Sequence, residues 1–447
     1  MKPTRRNFLK TAASAALAAN AVSSPAFLRC VRGDDAPNSR LRLGSIGVGG
    51  RGEYDTGLHK PFSELVAVCD LDSRRSGSAN ERLTGGKAQL YADYRRILDR
   101  SNVDVVTIGT PDHWHTKICL DALAAGKHIF CEKPLTLTIR ENQVLREAAE
   151  KHPECTFIVG TQRRAELPRF TRAVNMVRRG LLGEIKNVQV SISKSFNATF
   201  APPKDQRFPL AEVPAEFDWN TWLGQTPVVA YREKRSHVYY RYWYEYSGGR
   251  ITDWGAHYLD STLWALGQDQ KGQGLVHVDA SDCNHPLPMK DGYPLEDDYY
   301  STAHDFCLKG RLANGIPVQL ETRLNDAILF EGTKGRIRVN CGSISGTPIE
   351  ENWDADCYSE AEQRELFKGK PVESHMANFY RCIREGGLPI SDVFSHTQVM
   401  TACHVFAIAA RLGRSDLTFD PVREVFVNDD AANSFLTREQ RKGFEVC

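Results

Sequence analysis

Leu41-Arg42-Leu43-Gly44-Ser45-Ile46-Gly47-Val48-Gly49-Gly50-Arg51-Gly52 decides the fold. Residues 41–46 read as a strand that runs straight into Gly-x-Gly-x-x-Gly at Gly47, Gly49 and Gly52. Glycines there allow a tight turn and bring the backbone close to a pyrophosphate, whose charge the next helix N-terminus attracts. A glycine-rich turn alone says little, because such turns are common. Here a helical stretch follows, and then a second strand, Leu65-Val66-Ala67-Val68-Cys69-Asp70. Asp70 lies about twenty residues past the glycines, where an acid bonds the adenosine ribose hydroxyls. The stretch therefore predicts the first unit of a dinucleotide-binding domain. Asp70 favours NAD, while Arg74 and Arg75 stand close enough to a 2′-phosphate to keep NADP open.

The strand–helix alternation continues. Residues 103–109 form a strand with the exit loop Thr110-Pro111-Asp112-His113-Trp114-His115, and a helix runs on to Ala125. Gly126-Lys127-His128-Ile129-Phe130-Cys131-Glu132-Lys133-Pro134-Leu135 follows. Gly126 can end a helix in a left-handed conformation, and the apolar run after it reads as a buried strand. Glu132-Lys133-Pro134 then falls at the strand's carboxyl end, the edge where open α/β sheets bind ligands. Pro134 stops the strand and sets the direction of Lys133. The plain alternative is a surface Glu–Lys pair closing a loop. A helix over 140–151 and a strand over 156–160 close the sheet, with Gln162 and Arg163 at its carboxyl end. Three successive carboxyl-end loops thus face one crevice. On a strand His113 and His115 would share a face, but no cysteine or carboxylate cluster joins them, so no metal is expected.

These motifs, the glycine fingerprint, Thr110 to His115 and Ala125 to Leu135, resemble the glucose–fructose oxidoreductase / inositol dehydrogenase / rhizopine-catabolism (Gfo/Idh/MocA) family. The resemblance implies an α/β chain: a doubly wound Rossmann domain over 41–164, then an α+β domain over 165–447 with an open, mainly antiparallel sheet. It implies a nicotinamide cofactor and a sugar or polyol substrate. The expected cofactor contacts are Gly47, Gly49, Gly50, Arg51, Gly52, Asp70, Thr110, Pro111, His113, His115, Glu132, Lys133, Gln162 and Arg163.

In the second domain a helix over 167–179 precedes an alternating strand at 183–193. Residues 197–246 form a Pro- and aromatic-rich insertion ending in a crowd of tyrosines from Tyr239 to Tyr246. Aromatic faces with polar edges suit sugar rings, though core or subunit packing explains the same composition. Tyr244, Trp254 and His257 are the candidate substrate contacts. In Gly249-Arg250-Ile251-Thr252-Asp253-Trp254-Gly255-Ala256-His257, Thr252 can cap a helix, which puts Asp253 and His257 at i and i+4 on one face. The family carries an Asp-x-x-x-His at this place, and the resemblance implies that Asp253 and His257 meet Lys133 across the cleft. Residues 299–340 alternate with turns at Ala313-Asn314-Gly315 and Gly332-Thr333-Lys334-Gly335, as antiparallel strands do. Helices are expected over 374–385 and 395–412, and the resemblance implies a homo-oligomer formed through the second sheet.

The chain's beginning reads as an address rather than fold. Thr4-Arg5-Arg6-Asn7-Phe8-Leu9-Lys10 and the alanine-rich run over 12–21 look like a twin-arginine export signal over 1–30, with a linker over 31–40. This predicts a periplasmic protein. Ser24-Pro25-Ala26 offers a cleavage site, and Arg29 before Cys30 is not the small residue a lipid anchor wants. The 447 residues carry a net charge of +1, which gives no reason to expect nucleic-acid or anionic-membrane binding. The 12 cysteines include no Cys-x-x-Cys pair.

The chemistry expected is hydride transfer between nicotinamide and a secondary alcohol. Oxidation needs a base for the hydroxyl proton and a positive group at the developing alkoxide. His257 is assigned the first role and Lys133 the second, with Asp253 orienting; the residues alone also allow the exchange of Lys133 and His257. Two other readings stand beside this one. An NAD-dependent glycosidase oxidises a sugar transiently, although its second-domain motif differs from Asp-x-x-x-His. A non-catalytic sugar- or NAD-binding protein would not need Lys133, Asp253 and His257 together.

Overall fold

β1 (Leu41–Ile46), β2 (Ser63–Cys69), β3 (Gln89–Tyr91), β4 (Val105–Ile108), β5 (His128–Cys131) and β6 (Phe157–Val159) lie side by side in the order β3-β2-β1-β4-β5-β6. The computed structural model describes residues 40–165, 169–193, 207–347, 349–351 and 359–446. The arginine pair, the alanine run, Cys30 and the first residues of the insertion lie outside the described residues. The strand order reverses between β1 and β4, and ligands of doubly wound parallel sheets bind at the carboxyl ends beside that switch point. Val105, Val106, Ile108, Ile129, Phe130 and Cys131 are fully buried, as expected of strands covered on both faces.

The helix after β4 begins earlier than the sequence suggests. It spans Asp112–Ala124, directly after the extended residue Pro111. Proline is disfavoured inside a helix but suits its start, and an acid in the first turn favours the dipole. His113 and His115 therefore sit on a helix rather than in a loop or strand, and they point to different sides. Gly126, at φ +66°, ends this region as expected.

The second sheet contains β7 (Ile185–Ser191), β8 (Leu275–Asp279), β12 (Asp305–Leu312), β13 (Pro317–Glu321), β14 (Ala327–Gly332), β15 (Gly335–Val339), β16 (Ile344–Ser345), β17 (Leu417–Asp420) and β18 (Val425–Phe426), with β9 (Cys283–Asn284) added on β12. β10 (Met289–Lys290) and β11 (Tyr293–Pro294) form a separate hairpin. The order is β16-β15-β14-β7-β13-β12-β8-β17-β18. β7 and β13 run parallel, and the other neighbouring strands run antiparallel. The sheet is thus mixed and mostly antiparallel. Its register puts Val188 opposite Val318 and Phe330, and Val190 opposite Leu320 and Ile328. That apolar layer joins the core formed with helices Arg169–Arg178, Gly255–Leu266 and Val393–Leu412. The last helix has the length and composition to cross a membrane, yet 89% of its most apolar window is buried inside the protein.

Two segments outside the sheets matter for the site. Phe217, Trp219, Trp222, Tyr240, Trp243 and Tyr246 of the insertion form an aromatic core that Tyr299 and Tyr300 join from outside it. The amide of Ser73 donates to Glu216 O at 3.0 Å and ties the insertion to the first domain. Near the chain's end, Arg441 Nε donates to Gly224 O at 2.9 Å and its amide to Gln225 O at 2.8 Å, so the tail lies on the insertion.

Candidate active site

The glycine turn is tightly packed. Gly47 has φ +77°, and a Cβ on Gly52 would stand 1.9 Å from Gly47 O. A Cβ on Gly109 would stand 2.5 Å from Gly52 Cα, so the helix Arg51–Leu58 starts directly against the exit of β4. Asp70 is held at the end of β2 by the amides of Val48 and Asp72, which donate to its two carboxylate oxygens at 2.9 and 3.0 Å. Burial raises the Asp70 carboxyl, and the two amides oppose that rise. Of the two arginines beyond it, Arg74 bonds Asp72 at 3.2 Å, whereas Arg75 lies over the glycine turn: a Cβ on Gly49 would meet its Nη1 at 2.1 Å.

A cavity of about 540 Å³ opens on this turn. Of the residues expected to contact the cofactor, Gly47, Gly49, Gly50, Arg51, Asp70, Thr110, Pro111, His115, Glu132 and Lys133 line it. A Rossmann turn with this close approach and an acid at the second strand fits a dinucleotide. Gln162 donates to Glu132 Oε1 at 3.1 Å just behind the lining. Arg51 joins the same group, with Nη2 3.0 Å from Glu132 and Nε 3.0 Å from Asp55. Burial and the Glu132 charge raise the Asp55 carboxyl, against Arg51.

His115 presents Nδ1 to Pro134 O at 2.7 Å and Nε2 to Thr110 O at 2.8 Å, and so bridges two carboxyl-end loops. His113 does not line the cavity. Its ring is buried with Nε2 2.8 Å from Trp222 O, and burial lowers its pKa to about 3. Asp112 accepts from Tyr240 Oη at 2.5 Å and Ser247 Oγ at 2.6 Å, which fastens the insertion to the first domain.

Lys133 reaches into the second domain, where Nζ donates to Asp253 Oδ1 at 2.5 Å and to the Asp253 carbonyl at 3.0 Å. Burial alone would raise the Asp253 carboxyl, but Lys133 and Arg241 outweigh it and hold it well below the usual range. Arg241 Nε lies 3.7 Å from the same carboxylate. Asp253 ends a short helix, Arg250–Asp253, and a break at Trp254 separates it from Gly255–Leu266. The cap expected at Thr252 falls on Gly249 at φ +67°; Thr252 is buried one turn later and bonds Gly249 O. His257 follows the break, with its amide on Trp254 O at 3.0 Å and a buried Nδ1 that has no hydrogen-bond partner among the described residues. Burial, Lys133 and Arg163 push its pKa well below the ordinary imidazole value.

Trp254 is half-buried, stacked on Tyr258 and edge-on to His257. Tyr244 lies outside the cavity, its ring 3.3 Å from Arg411 Cζ and 3.8 Å from Arg438 Cζ. The cavity instead takes Phe217, Trp222, His237 and Arg241 from the insertion and Phe444 from the tail. The sequence offers only composition for these: Trp222 reads as packing, and Phe444 as one apolar residue in a polar tail.

Residues 41–161 match the model of the oxidoreductase family's NAD-binding Rossmann fold, and residues 170–289 match the family's C-terminal alpha/beta domain. The chain belongs to the Gfo/Idh/MocA oxidoreductase family. Family membership makes the first domain an NAD-binding Rossmann fold. Over 205 residues the chain is 36% identical to "Glycosyl hydrolase family 109 protein 1" of Shewanella sp. (strain MR-4), covering 40% of this chain and 44% of that one. It is 35% identical over 205 residues to an alpha-N-acetylgalactosaminidase of Shewanella oneidensis, with the same 40% and 44% coverage. The chain thus spans less than half the length of these curated relatives. Among solved structures it is similar to the WlbA dehydrogenase from Bordetella pertussis in complex with NADH and UDP-GlcNAcA, at TM-score 0.57 and 18% identity, covering 85% of this chain and 99% of that one. It is also similar to myo-inositol 2-dehydrogenase from Lactobacillus plantarum, at TM-score 0.55 and 19% identity, covering 84% and 98%. These likenesses show the shared fold.

Proposed function

We propose that the protein transfers hydride to or from a secondary alcohol carbon of a sugar, polyol or glycoside and keeps its dinucleotide between turnovers. The observation that carries this reading is Lys133, which lines the dinucleotide cavity and bonds Asp253. Bound nicotinamide would supply the hydride acceptor and donor. This chain's residues would handle the proton and the developing charge. His257, kept neutral by burial, accepts the hydroxyl proton. Lys133 spends two of its three N–H groups on Asp253 and has the third for the reacting oxygen. Asp253 holds that ammonium in place.

Retention of the cofactor is supported by the roof of the cavity, built from Trp222, His237 and Phe444. It also suits export through the twin-arginine route, which we propose from residues 4–21. An exported enzyme that kept its cofactor would pass the hydride to a second carbonyl or back to the same substrate. The test is to purify the mature protein, dialyse and denature it, and assay the supernatant for NAD(P). About one dinucleotide per chain is expected; an empty protein fully activated by micromolar NAD would overturn retention.

A second reading, a redox-neutral glycosidase, is favoured by the glycosidase names of the curated relatives. There the sugar leaves no more oxidised than it entered, and the glycosidic bond is broken. Release of nitrophenol from nitrophenyl glycosides without net absorbance change at the NADH band distinguishes it from net dehydrogenation.

A further inference from the structure

Arg411, from the core helix Val393–Leu412, and Arg438, from the tail, lie against one ring, that of Tyr244. Arg411 is only 6% exposed, and its Nε and Nη2 have no hydrogen-bond partner among the described residues. Burying unpaired donors of a charged group is expensive. Burial first, with Arg438 next to it, pulls the Arg411 pKa down to about 10.

Both arginines line a closed-in cavity of about 30 Å³. His285 lines it as well, with Nε2 buried and without a hydrogen-bond partner among the described residues. Three further polar side chains on its wall are engaged: His404 Nε2 with Thr136 Oγ1 at 3.1 Å, Thr302 Oγ1 with Tyr242 O at 3.3 Å, and Thr138 Oγ1 with the amide of Glu141 at 3.1 Å. No aspartate or glutamate lines the cavity among the described residues. The nearby Glu245 carboxylate acts on Arg411 through its charge and offsets one of the two guanidinium charges. With two guanidiniums and one nearby carboxylate, the wall offers spare donors and a net positive charge. The volume is that of about one water molecule, too small for a sulfate or a sugar acid. The cavity shares His285, Arg411 and Phe435 with an open surface groove, which provides a way in.

We propose that Arg411, Arg438 and His285 bind a single halide-sized monovalent anion, chloride under ordinary conditions. A neutral water would accept from these donors but leave the excess of one guanidinium charge over Glu245 uncompensated.

The test uses bromide as the probe. Crystals of the whole protein soaked in sodium bromide should show an anomalous peak between Arg411 and His285. In solution, bromide at constant ionic strength, balanced with sodium gluconate, should raise the melting temperature saturably. Arg411→Gln and, separately, His285→Phe should each weaken the apparent bromide affinity at least tenfold. A water alone in the cavity, bromide on the outer surface only, or equal stabilisation by gluconate would each overturn the proposal. Should Arg411→Gln fail to fold, the wild-type crystal and His285→Phe decide it.

Discussion

Lys133 Nζ lies 2.5 Å from Asp253 Oδ1 and 3.0 Å from the Asp253 carbonyl, joining the end of β5 to the helix Arg250–Asp253. Both side chains are only 12% exposed. A buried pair of this kind is a poor source of stability, because desolvation offsets most of the attraction. Its value lies in position: an ammonium fastened at two points is preorganised, and preorganised charge favours a transition state.

Lys133→Met is therefore expected to lower turnover a few hundred-fold, on the order of 3–4 kcal/mol of transition-state stabilisation. Dinucleotide binding should stay within a few-fold, because the glycine turn and Asp70 are on other strands. Steady-state kinetics beside an NAD titration check both halves. Near-normal turnover would remove Lys133 from catalysis.

His257→Ala should erase the acidic limb of the pH–rate profile for alcohol oxidation. A base must be unprotonated to act, so the wild-type rate rises with pH through the histidine pKa. Burial places that pKa well below the ordinary value of about 6.5, so the limb belongs on the acid side of neutrality and the plateau should already be reached at pH 7. An unchanged limb in the variant would move the base role elsewhere, with Lys133 the next candidate.

Much of the first domain could be read from sequence because its signals are local. Gly47, Gly52 and Asp70 sit at fixed spacing, and the strands through Ile108 and Cys131 are continuous apolar runs. The second domain's hairpins were legible from alternation and from the turn at Thr333-Lys334. What escaped depends on contacts between distant residues. Arg441 and Gly224 meet across 217 positions, and no pattern in the tail announces that Phe444 faces the cofactor cavity. β3, β8 and the two-residue strands are too short to show a period. Tyr244 belongs to a tyrosine-rich run that suggested a sugar platform, yet its ring is occupied by two arginines. Thr252 has the chemistry of a cap, but Gly249, with its left-handed backbone, starts the helix one turn earlier.

Asp260→Asn tests how the two domains are pinned. Arg164 is 1% exposed, bonds Asp260 at 2.7 Å and approaches Asp269 at 3.0 Å. Removing one carboxylate from a buried guanidinium costs about 3–5 kcal/mol. Burial would raise the Asp260 carboxyl, but Arg164 outweighs it and the net shift is downward. A depressed carboxyl contributes stability above the unfolded-state pKa of about 3.9, and that contribution is lost as pH falls through the lower folded-state pKa. Urea unfolding should therefore show a large gap between wild type and variant at pH 7 that shrinks below about pH 4. A gap of equal size at pH 7 and pH 3 would contradict this account.

The tail supplies the last prediction. Phe444 lines the dinucleotide cavity and meets the ring of Trp114 edge-on at 6.0 Å. Arg441 holds it there, with its guanidinium 4.2 Å from the Phe444 ring and bonds to Gly224 O, Asn220 O and Asn220 Oδ1 between 2.8 and 2.9 Å. The glycine turn lines the same cavity, so a dinucleotide bound at that turn would share the cavity with this tail. Phe444→Ala removes a roof element without touching Gly47, Asp70 or Lys133. Burying a phenylalanine is worth about 1.5–3 kcal/mol, and 1.4 kcal/mol is about a factor of ten. Dinucleotide release should accelerate about tenfold or more, with the effect in the dissociation rate rather than in association. Arg441→Ala should act in the same direction and add little to Phe444→Ala, because both operate through one ring. Chasing bound cofactor with excess unlabelled NAD, in each single variant and in the double, measures this. Unchanged release in Phe444→Ala would show that the tail does not hold the cofactor, and full additivity would show that Arg441 acts independently of Phe444.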